Sequence, residues 1–197
     1  MKDRRLFIQY PFYSNVILRK LLLRLFQYNE VCLLIHDVDS LRDFGQDDIQ
    51  HEIGVFNTCK MLIVHNKRMA DALKKIGVRT PMVTLDLFDY LRPAIDHPVR
   101  TYRHEISFAG NLAKSTFLHH DLDQLGVDFL VYGINFNREK IHSKNVTYKG
   151  SFTSEEIPAR LEGSFGLIWD GDSIDTCSGA FGEYTRYNNP VSYTHLR

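Results

Sequence analysis

Residues 165–190 read FGLIWDGDSIDTCSGAFGEYTRYNNP. The change from apolar residues to acidic residues and glycine after Trp169 indicates the fold. The apolar residues from Phe165 to Trp169 are typical of a buried strand, whereas Asp170-Gly171-Asp172 cannot continue one. In open α/β sheets, ligands bind in the crevice beyond the carboxyl ends of the strands. We therefore expect the glycines, hydroxyls and asparagines that follow to line a ligand site. An ordinary surface loop between a strand and a helix is the alternative.

The same pattern of an apolar run followed by a turn repeats upstream of this stretch. Strands are predicted at 105–109, 129–132, 146–148 and 165–169, ending near Gly110, Gly133, Gly150 and Asp170. Helices are predicted between them at 115–125, 137–142 and 153–162, the last one with a cap and acidic residues in its first turn. This half of the chain is therefore expected to form an α/β sheet.

The first half alternates in the same way. Strands are predicted at 6–10, 31–35, 61–64 and 81–87, and helices at 14–28, 47–60 and 68–76, with Ser14 as a cap and Gly77 as a stop. Short apolar runs such as VCLLI at 31–35 are typical of parallel strands that are covered on both faces. The helix at 14–28 is basic and amphipathic, which fits either a crossover helix or contact with a membrane surface.

Two prolines and dispersed charges interrupt the pattern at 91–103, which predicts a linker. The fold class is accordingly α/β, with two Rossmann-like parallel-sheet domains that are both incomplete. The predicted boundaries are 1–95 for the first domain and 96–190 for the second. The last seven residues, VSYTHLR at 191–197, have no place in the pattern and are interpreted as a non-native tail.

Composition excludes several classes of protein. Among 197 residues, 24 basic side chains balance 24 acidic ones, so no global field would attract nucleic acid. The three cysteines are widely spaced and lack a CxxC motif, which favours reduced thiols and a cytoplasmic location. No apolar run approaches the roughly 20 residues that span a bilayer.

The sequence FAGNLAKS at 108–115 predicts a strand, a glycine turn and the start of a helix, with Lys114 in the turn. Amide groups at a helix N-terminus and a nearby lysine bind phosphate well. The GxxxxGK[ST] spacing of a Walker loop is absent. A βα turn without a ligand is the alternative.

Two DxD triplets, at 37–39 and 170–172, also invite a functional interpretation. Carboxylate oxygens suit Mg²⁺ or Mn²⁺, so each triplet could hold a divalent ion, although the first also suits a polar capping loop. His36 lies beside Asp37 at the predicted end of a strand, where either could act as a general base. No GxSxG motif supports a serine hydrolase.

The segments FAGNLAKS, VYGI, VTYKGSFTSEEIPARL, FGLIWDG and GEYTRYNNP occur in this order, and IHDVDSLR, IVHNKRM and FDYL precede them. Together they resemble a bacterial family of two-domain GT-B glycosyltransferases. That family includes the glucosyltransferase that extends O-linked glycans on serine-rich repeat adhesins and β-1,6-galactofuranosyltransferases of surface polysaccharide synthesis. The resemblance covers most of 6–190. The His-Lys pair that follows the NNP tract in the family is absent here, which implies a chain truncated at both ends and a fragment without activity of its own.

The resemblance implies a role for each matching residue. His36 and Asp37 would be catalytic, on the acceptor side. The donor would be bound by Gly110, Asn111, Lys114, Ser115, Gly133, Ser151, Asp170, Gly171, Tyr184, Tyr187, Asn188 and Asn189. No metal and no cofactor would be required, because Lys114 and helix-end amides would neutralise the diphosphate of a UDP-sugar.

The implied reaction is transfer of a hexosyl unit, glucose or galactofuranose, to a hydroxyl of a glycan or glycoprotein acceptor during cell-surface glycan synthesis. Two alternatives remain open: a non-catalytic subunit that binds a transferase or a glycan, and a metal-dependent DxD transferase. The expected location is the cytoplasm, with peripheral contact at the inner face of the membrane and a homo-oligomer as further possibilities.

Overall fold

The computed structural model describes residues 2–12, 16–41, 49–86 and 101–189. These residues form two compact units. The described part of the first unit runs to Asp86 and also includes Arg186–Asn189, and that of the second runs from Thr101 to Thr185. The predicted Ser14 cap, the domain boundary at 95/96 and the tail at 191–197 lie outside the described residues.

The first unit is a four-stranded parallel sheet with its helices in the crossovers. The elements are β1 (Arg5–Tyr10), α1 (Val16–Phe26), β2 (Glu30–Ile35), α2 (Ile49–Asn57), β3 (Met61–Val64), α3 (Lys67–Ile76) and β4 (Met82–Thr84). The strand order is β1-β2-β3-β4, and every pair is parallel. The strands, the helices and the parallel sheet predicted for this half are confirmed. Helix α1 is the crossover between β1 and β2.

The core of the first unit lies where the apolar runs predicted it. Leu33, Ile35 and Leu62 on the central strands have no exposed surface, and Phe56 and Leu73 pack on them from α2 and α3. Helix α3 ends at Gly77, whose φ of 113° is left-handed and whose N–H bonds back to the carbonyls of the last turn. The predicted glycine stop is thereby confirmed.

The second unit is also a four-stranded parallel sheet. Its elements are β5 (Glu105–Asn111), β6 (Asp128–Ile134), β7 (Val146–Gly150), α4 (Ile157–Arg160), β8 (Phe165–Leu167) and α5 (Gly179–Tyr184). The order is β7-β6-β5-β8, with every pair parallel. The α/β class is thus confirmed for both halves.

The helices predicted in the second half are largely wrong. The segment 115–125 forms 3₁₀ turns at Thr116–His119 and Asp123–Leu125, and 137–142 forms one at Arg138–Lys140. The physical reason is that Ser143 bonds both the N–H of Leu122 and the carbonyl of His120, so tertiary contacts take the place of helical ones.

Two further differences concern short helices. The helix predicted at 153–162 contracts to α4, where the Thr153 N–H and hydroxyl both bond the Glu156 carboxylate just before the helix begins. Helix α5 lies inside the tract after the predicted strand at 165–169, where no helix was predicted. Among the described residues, no helix has the length and apolar character needed to cross a membrane.

Candidate functional site

The carboxyl ends of β5 and β6 meet at two glycines. Gly110 and Gly133 are register partners in the parallel pair. A Cβ atom built on Gly133 would lie 1.8 Å from the carbonyl oxygen of Gly110, and the φ of Gly133 is +138°. Only glycine fits such a position, for reasons of both space and backbone conformation. The two strand ends are therefore bare of side chains where a ligand can approach the backbone.

A pocket of about 330 Å³ opens at these glycines. It is lined by Ala109, Gly110, Asn111, Tyr132, Gly133, Ile134, Ser151, Phe152, Ser154 and Ile157. The structure thus brings together four of the residues predicted to bind the donor: Gly110, Asn111, Gly133 and Ser151. Its position, beyond the carboxyl ends of parallel strands, is where α/β sheets bind ligands.

Sequence reasoning missed the apolar wall of this pocket. Tyr132 is 1% exposed, accepts a hydrogen bond from the Glu162 N–H through its hydroxyl, and has a pKa that burial raises above its usual value. Its phenol therefore stays protonated. Ile157 is buried in α4, and Phe152 packs against the same small cluster. Phe152 and Ile157 follow strand β7 in an otherwise polar segment. The sequence pattern around them therefore does not assign them to a site.

The loop after β5 differs from the predicted glycine turn and helix start. Gly110 and Asn111 still belong to β5, and a 3₁₀ turn at Leu112–Lys114 follows. Asn111 accepts the Ala113 N–H through its side chain, and the Ser115 N–H bonds the Leu112 carbonyl. These two amides are already used within the loop. The predicted start of an α-helix is therefore wrong, whereas the phosphate contact predicted for Lys114 stays a prediction.

Lys114 lies close enough to Asp170 to act on its ionisation. Burial raises the pKa of the Asp170 carboxyl, and the positive charge of Lys114 opposes that rise. Ser115 lies in the same loop but is only 2% exposed, and its hydroxyl donates to the Asn111 carbonyl at 3.4 Å. Lys114 and Asp170 thus offer charges of opposite sign near the strand ends of the second unit.

The acid-glycine loop after β8 is internally ordered. A Cβ atom on Gly171 would lie 2.4 Å from the Thr176 carbonyl, so the loop closes tightly there. Asp172 accepts hydrogen bonds from the hydroxyls of Ser178 at 2.6 Å and Thr176 at 3.1 Å, and these bonds lower its pKa. Asp172 therefore organises the loop. Within the described ranges, no three His, Cys, Asp or Glu side chains are grouped to hold a metal ion.

The remaining predicted donor residues lie elsewhere. Tyr184, in α5, is 3% exposed. Tyr187 packs against the core of the first unit, and Asn188 and Asn189 belong to that unit as well. The structure thus differs from the predicted assignment of all of 96–190 to the second domain. The reason is the set of contacts that Asn189 makes with His65 and Asn66.

The predicted catalytic pair follows β2 in the first unit. The Nε2 atom of His36 is 3.1 Å from the side-chain oxygen of Gln9, at the end of the neighbouring strand. Gln9, which sequence reasoning missed, therefore orients the ring.

A buried carboxylate organises the turn just beyond this pair. Glu52 of α2 is 4% exposed and accepts hydrogen bonds from the Tyr10 hydroxyl and from the N–H groups of Asp39 and Ser40. The first DxD triplet thus ends in a turn that bonds to α2, in keeping with the capping-loop alternative.

Comparison with known proteins gives matches in both units. Residues 3–87 match the N-terminal domain of glucosyltransferase 3-like proteins, and residues 106–195 match the C-terminal domain. The β-1,6-galactofuranosyltransferase WbbI of Escherichia coli K12 is 38% identical over 163 residues, which are 80% of this chain and 46% of WbbI. The chain therefore spans about half the length of this relative.

One solved structure is similar to part of this chain. A crystal structure of a Staphylococcus aureus TarM mutant, in complex with fondaparinux, α-GlcNAc-glycerol and UDP, aligns with a TM-score of 0.47 at 17% identity. The alignment covers 71% of this chain and 32% of TarM.

Proposed function

Since the chain belongs to the glucosyltransferase 3-like family, we propose that it is part of an enzyme that transfers a hexosyl unit from a UDP-sugar to a hydroxyl of a glycan or glycoprotein acceptor. The proposed setting is cell-surface glycan synthesis in the cytoplasm. The family description names a glucosyltransferase and the E. coli relative is a galactofuranosyltransferase, so glucose and galactofuranose are both candidate donor sugars.

The pocket at Gly110 and Gly133 is the observation that carries this proposal. A phosphate or a ribose needs close approach to the backbone, and two adjacent strand ends without side chains permit it. A Cβ atom on Gly110 would meet nothing within 4 Å, so the space in front of this residue is open. Asn111 and Ser151 add polar groups at the rim, and Tyr132 and Ile157 supply an apolar wall.

Charge at the site supports the same chemistry. A departing nucleoside diphosphate carries negative charge that the enzyme must stabilise in the transition state. Lys114 follows the pocket residue Asn111 within one 3₁₀ turn, and we assign it to the diphosphate. On the acceptor side, His36 or Asp37 would take the proton of the attacking hydroxyl, with Gln9 holding the His36 ring.

The proposal is tested by calorimetric titration of UDP into the protein and into Lys114→Ala. Loss of one charge-assisted hydrogen bond of about 1.5–3 kcal/mol predicts at least about a tenfold weaker affinity. Lys144→Ala is the matched control, because Lys144 is an exposed lysine of the same unit that does not line the pocket.

A second variant tests the pocket itself. Gly110→Ala adds a methyl group into open space and should fold normally, yet it narrows the pocket and should weaken UDP binding. EDTA should leave the affinity for UDP unchanged, because Lys114 and not a metal ion neutralises the charge of the diphosphate. Absence of UDP binding, or an equal loss in Lys114→Ala and Lys144→Ala, would refute the donor-site assignment.

A further inference from the structure

Helix α1 has an exposed side that the fold of the first unit does not use. Its inner side is held by the apolar core of that unit, where Phe26 is 4% exposed and Leu23 packs against the same cluster. The opposite side carries Ile17 and Leu21, which are 73% and 51% exposed. Large aliphatic side chains that lie together on a surface mark a site of interaction.

Basic side chains lie on the same side of the helix as these aliphatic ones. The spacing i, i+3, i+4, i+7 places residues on one side of a helix, and in α1 it selects Ile17, Lys20, Leu21 and Arg24. The α1 sequence, VILRKLLLRLF, contains no acidic residue. Lys20 and Arg24 are exposed, and neither forms an ion pair with an acidic side chain of the described residues. Their positive charge is therefore available to a partner.

The turn after α1 extends this surface. Tyr28 is 51% exposed, and Nζ of Lys2 lies 5.0 Å from the centroid of its ring. The Asp3 N–H donates to the Tyr28 carbonyl at 2.8 Å, which holds Lys2 beside the tyrosine. A tyrosine has an apolar ring and a polar hydroxyl, which suits the boundary between lipid and water. We call the following residues the α1 face: Ile17, Lys20, Leu21, Arg24 and Tyr28.

Helix α3 of the same unit gives the contrast. Its exposed residues include Lys74 and Lys75, but also the acidic Asp71. Of the large apolar side chains that are exposed in the described part of the chain, none belongs to α3. Water alone satisfies a surface of this kind, whereas the α1 face combines unpaired positive charge with exposed aliphatic side chains.

The charge and the apolar surface together select one partner for the α1 face. A second copy bound through the same face would bring basic residues together with no acid between them. Duplex nucleic acid would match the charge, but its phosphate backbone would leave Ile17 and Leu21 in water. Anionic phospholipid headgroups supply negative charge, and the acyl boundary beneath them accepts aliphatic side chains.

We propose that the α1 face docks the protein on the surface of an anionic phospholipid bilayer, with its two basic side chains at the headgroups and its two aliphatic side chains inserted between them. The helix lies parallel to the bilayer, because its buried side stays on the first unit. Helix α1 is thus both the crossover from β1 to β2 and a membrane contact. This attachment is independent of sugar transfer, since no residue of the α1 face lines the pocket at Gly110.

The test is sedimentation of the protein with vesicles of phosphatidylcholine, made with or without phosphatidylglycerol. We expect binding to the vesicles that contain phosphatidylglycerol, and added salt should weaken it because salt screens the charges. The double variant Lys20→Gln/Arg24→Gln should bind about 25-fold more weakly, since each basic residue near an anionic surface contributes about fivefold. Leu21→Ser should bind about tenfold more weakly, because an inserted aliphatic side chain is lost.

Two variants are matched controls for these changes. Lys74→Gln/Lys75→Gln removes the same charge from α3, and Leu125→Ser removes an exposed leucine from the second unit. Both should bind vesicles as the unmodified protein does. All four variants should keep the melting temperature of the unmodified protein, because the substituted side chains are exposed.

Three results with vesicles would overturn the inference: no binding to phosphatidylglycerol, an equal loss in the α1 and α3 double variants, or an unchanged affinity of Leu21→Ser. Two further results would assign the α1 face to another partner and overturn it as well. One is a lower sedimentation coefficient of Leu21→Ser without vesicles, which would indicate a second copy. The other is equally tight binding to duplex DNA, which would indicate an affinity for any polyanion.

Discussion

Gly133 occupies a position that no other residue can take without moving the neighbouring strand. Its φ of +138° is left-handed, and a Cβ atom would lie 1.8 Å from the Gly110 carbonyl oxygen. We predict that Gly133→Ala lowers the free energy of unfolding by about 3 kcal/mol, from backbone strain and overpacking together. Urea denaturation measures the loss.

The control for this prediction is Gly54→Ala in helix α2. A Cβ atom there meets nothing within 4 Å, and alanine is favoured over glycine in helices by up to about 1 kcal/mol. The Gly54 variant should be as stable as the unmodified protein or more so. Equal stability of the two variants would contradict the close approach of Gly110 and Gly133.

His65 links stability to pH. Burial lowers its pKa below the ordinary value of 6.5. The nearby charge of His36 lowers the pKa further, and the charge of Asp37 raises it. The unfolded chain therefore binds a proton at a pH where the folded protein does not. The stabilising contribution of neutral His65 is fully present above about pH 6.5 and is lost as the pH falls through the lowered pKa.

We expect this contribution to appear as a difference between two proteins. The unmodified protein and His65→Gln differ in their free energy of unfolding. This difference, unmodified protein minus variant, should decrease as the pH falls from 7.5 to 5.5, by up to about 1.4 kcal/mol per pH unit. Urea denaturation at several pH values measures it. A constant difference would show that His65 does not change its proton affinity on folding.

At the scale of elements, one buried carboxylate joins helix α2 to the turn after β2. Glu52 accepts the Tyr10 hydroxyl at 2.7 Å and the N–H groups of Asp39 and Ser40 at 3.1 Å. Glu52→Gln keeps the shape but turns one acceptor into a donor that faces other donors. We predict a loss of about 1–3 kcal/mol in the free energy of unfolding.

Two variants control for this change. Tyr10→Phe removes one donor and leaves the carboxylate two others, so it should cost about 1 kcal/mol. Glu139→Gln alters an exposed side chain and should have almost no effect. A Glu52→Gln variant as stable as Glu139→Gln would contradict the bonding described for this turn.

The elements also show where sequence patterns fail. Strands β2, β3 and β6 are continuous apolar runs that become buried in the fold. The predicted ends of each strand lie within two residues of the observed ends. The segments 115–125 and 137–142 were predicted as helices from their residue types but form 3₁₀ turns. Asp123 accepts the N–H groups of Lys144 and Asn145, and Ser143 accepts that of Leu122, so distant side chains satisfy the backbone there.

At the scale of the whole molecule, the segment Arg186–Asn189 belongs to the unit that is distant from it in sequence. We predict that truncation after Thr185 destabilises the first unit, because the hydrogen bonds of Asn189 and the packing of Tyr187 are lost. Hydrogen exchange should become faster in β3 and α3 and stay unchanged in β5 and β6.

Truncation after Asn189 is the control, since it retains the segment. Its exchange pattern in β3 and α3 should match that of the intact chain. Faster exchange throughout both units in the shorter variant would contradict a local role for this segment.

The sequence by itself determined the α/β class, the parallel direction of the strands and the glycines at the ends of β5 and β6, because burial and turn chemistry are local properties of the chain. Only the tertiary structure showed that Gly110 and Gly133 are register partners, that Tyr132 and Ile157 complete the pocket, and that Asn189 binds His65. Each of these depends on which distant residues meet across a sheet or at a strand end, and residue type and spacing do not encode that pairing.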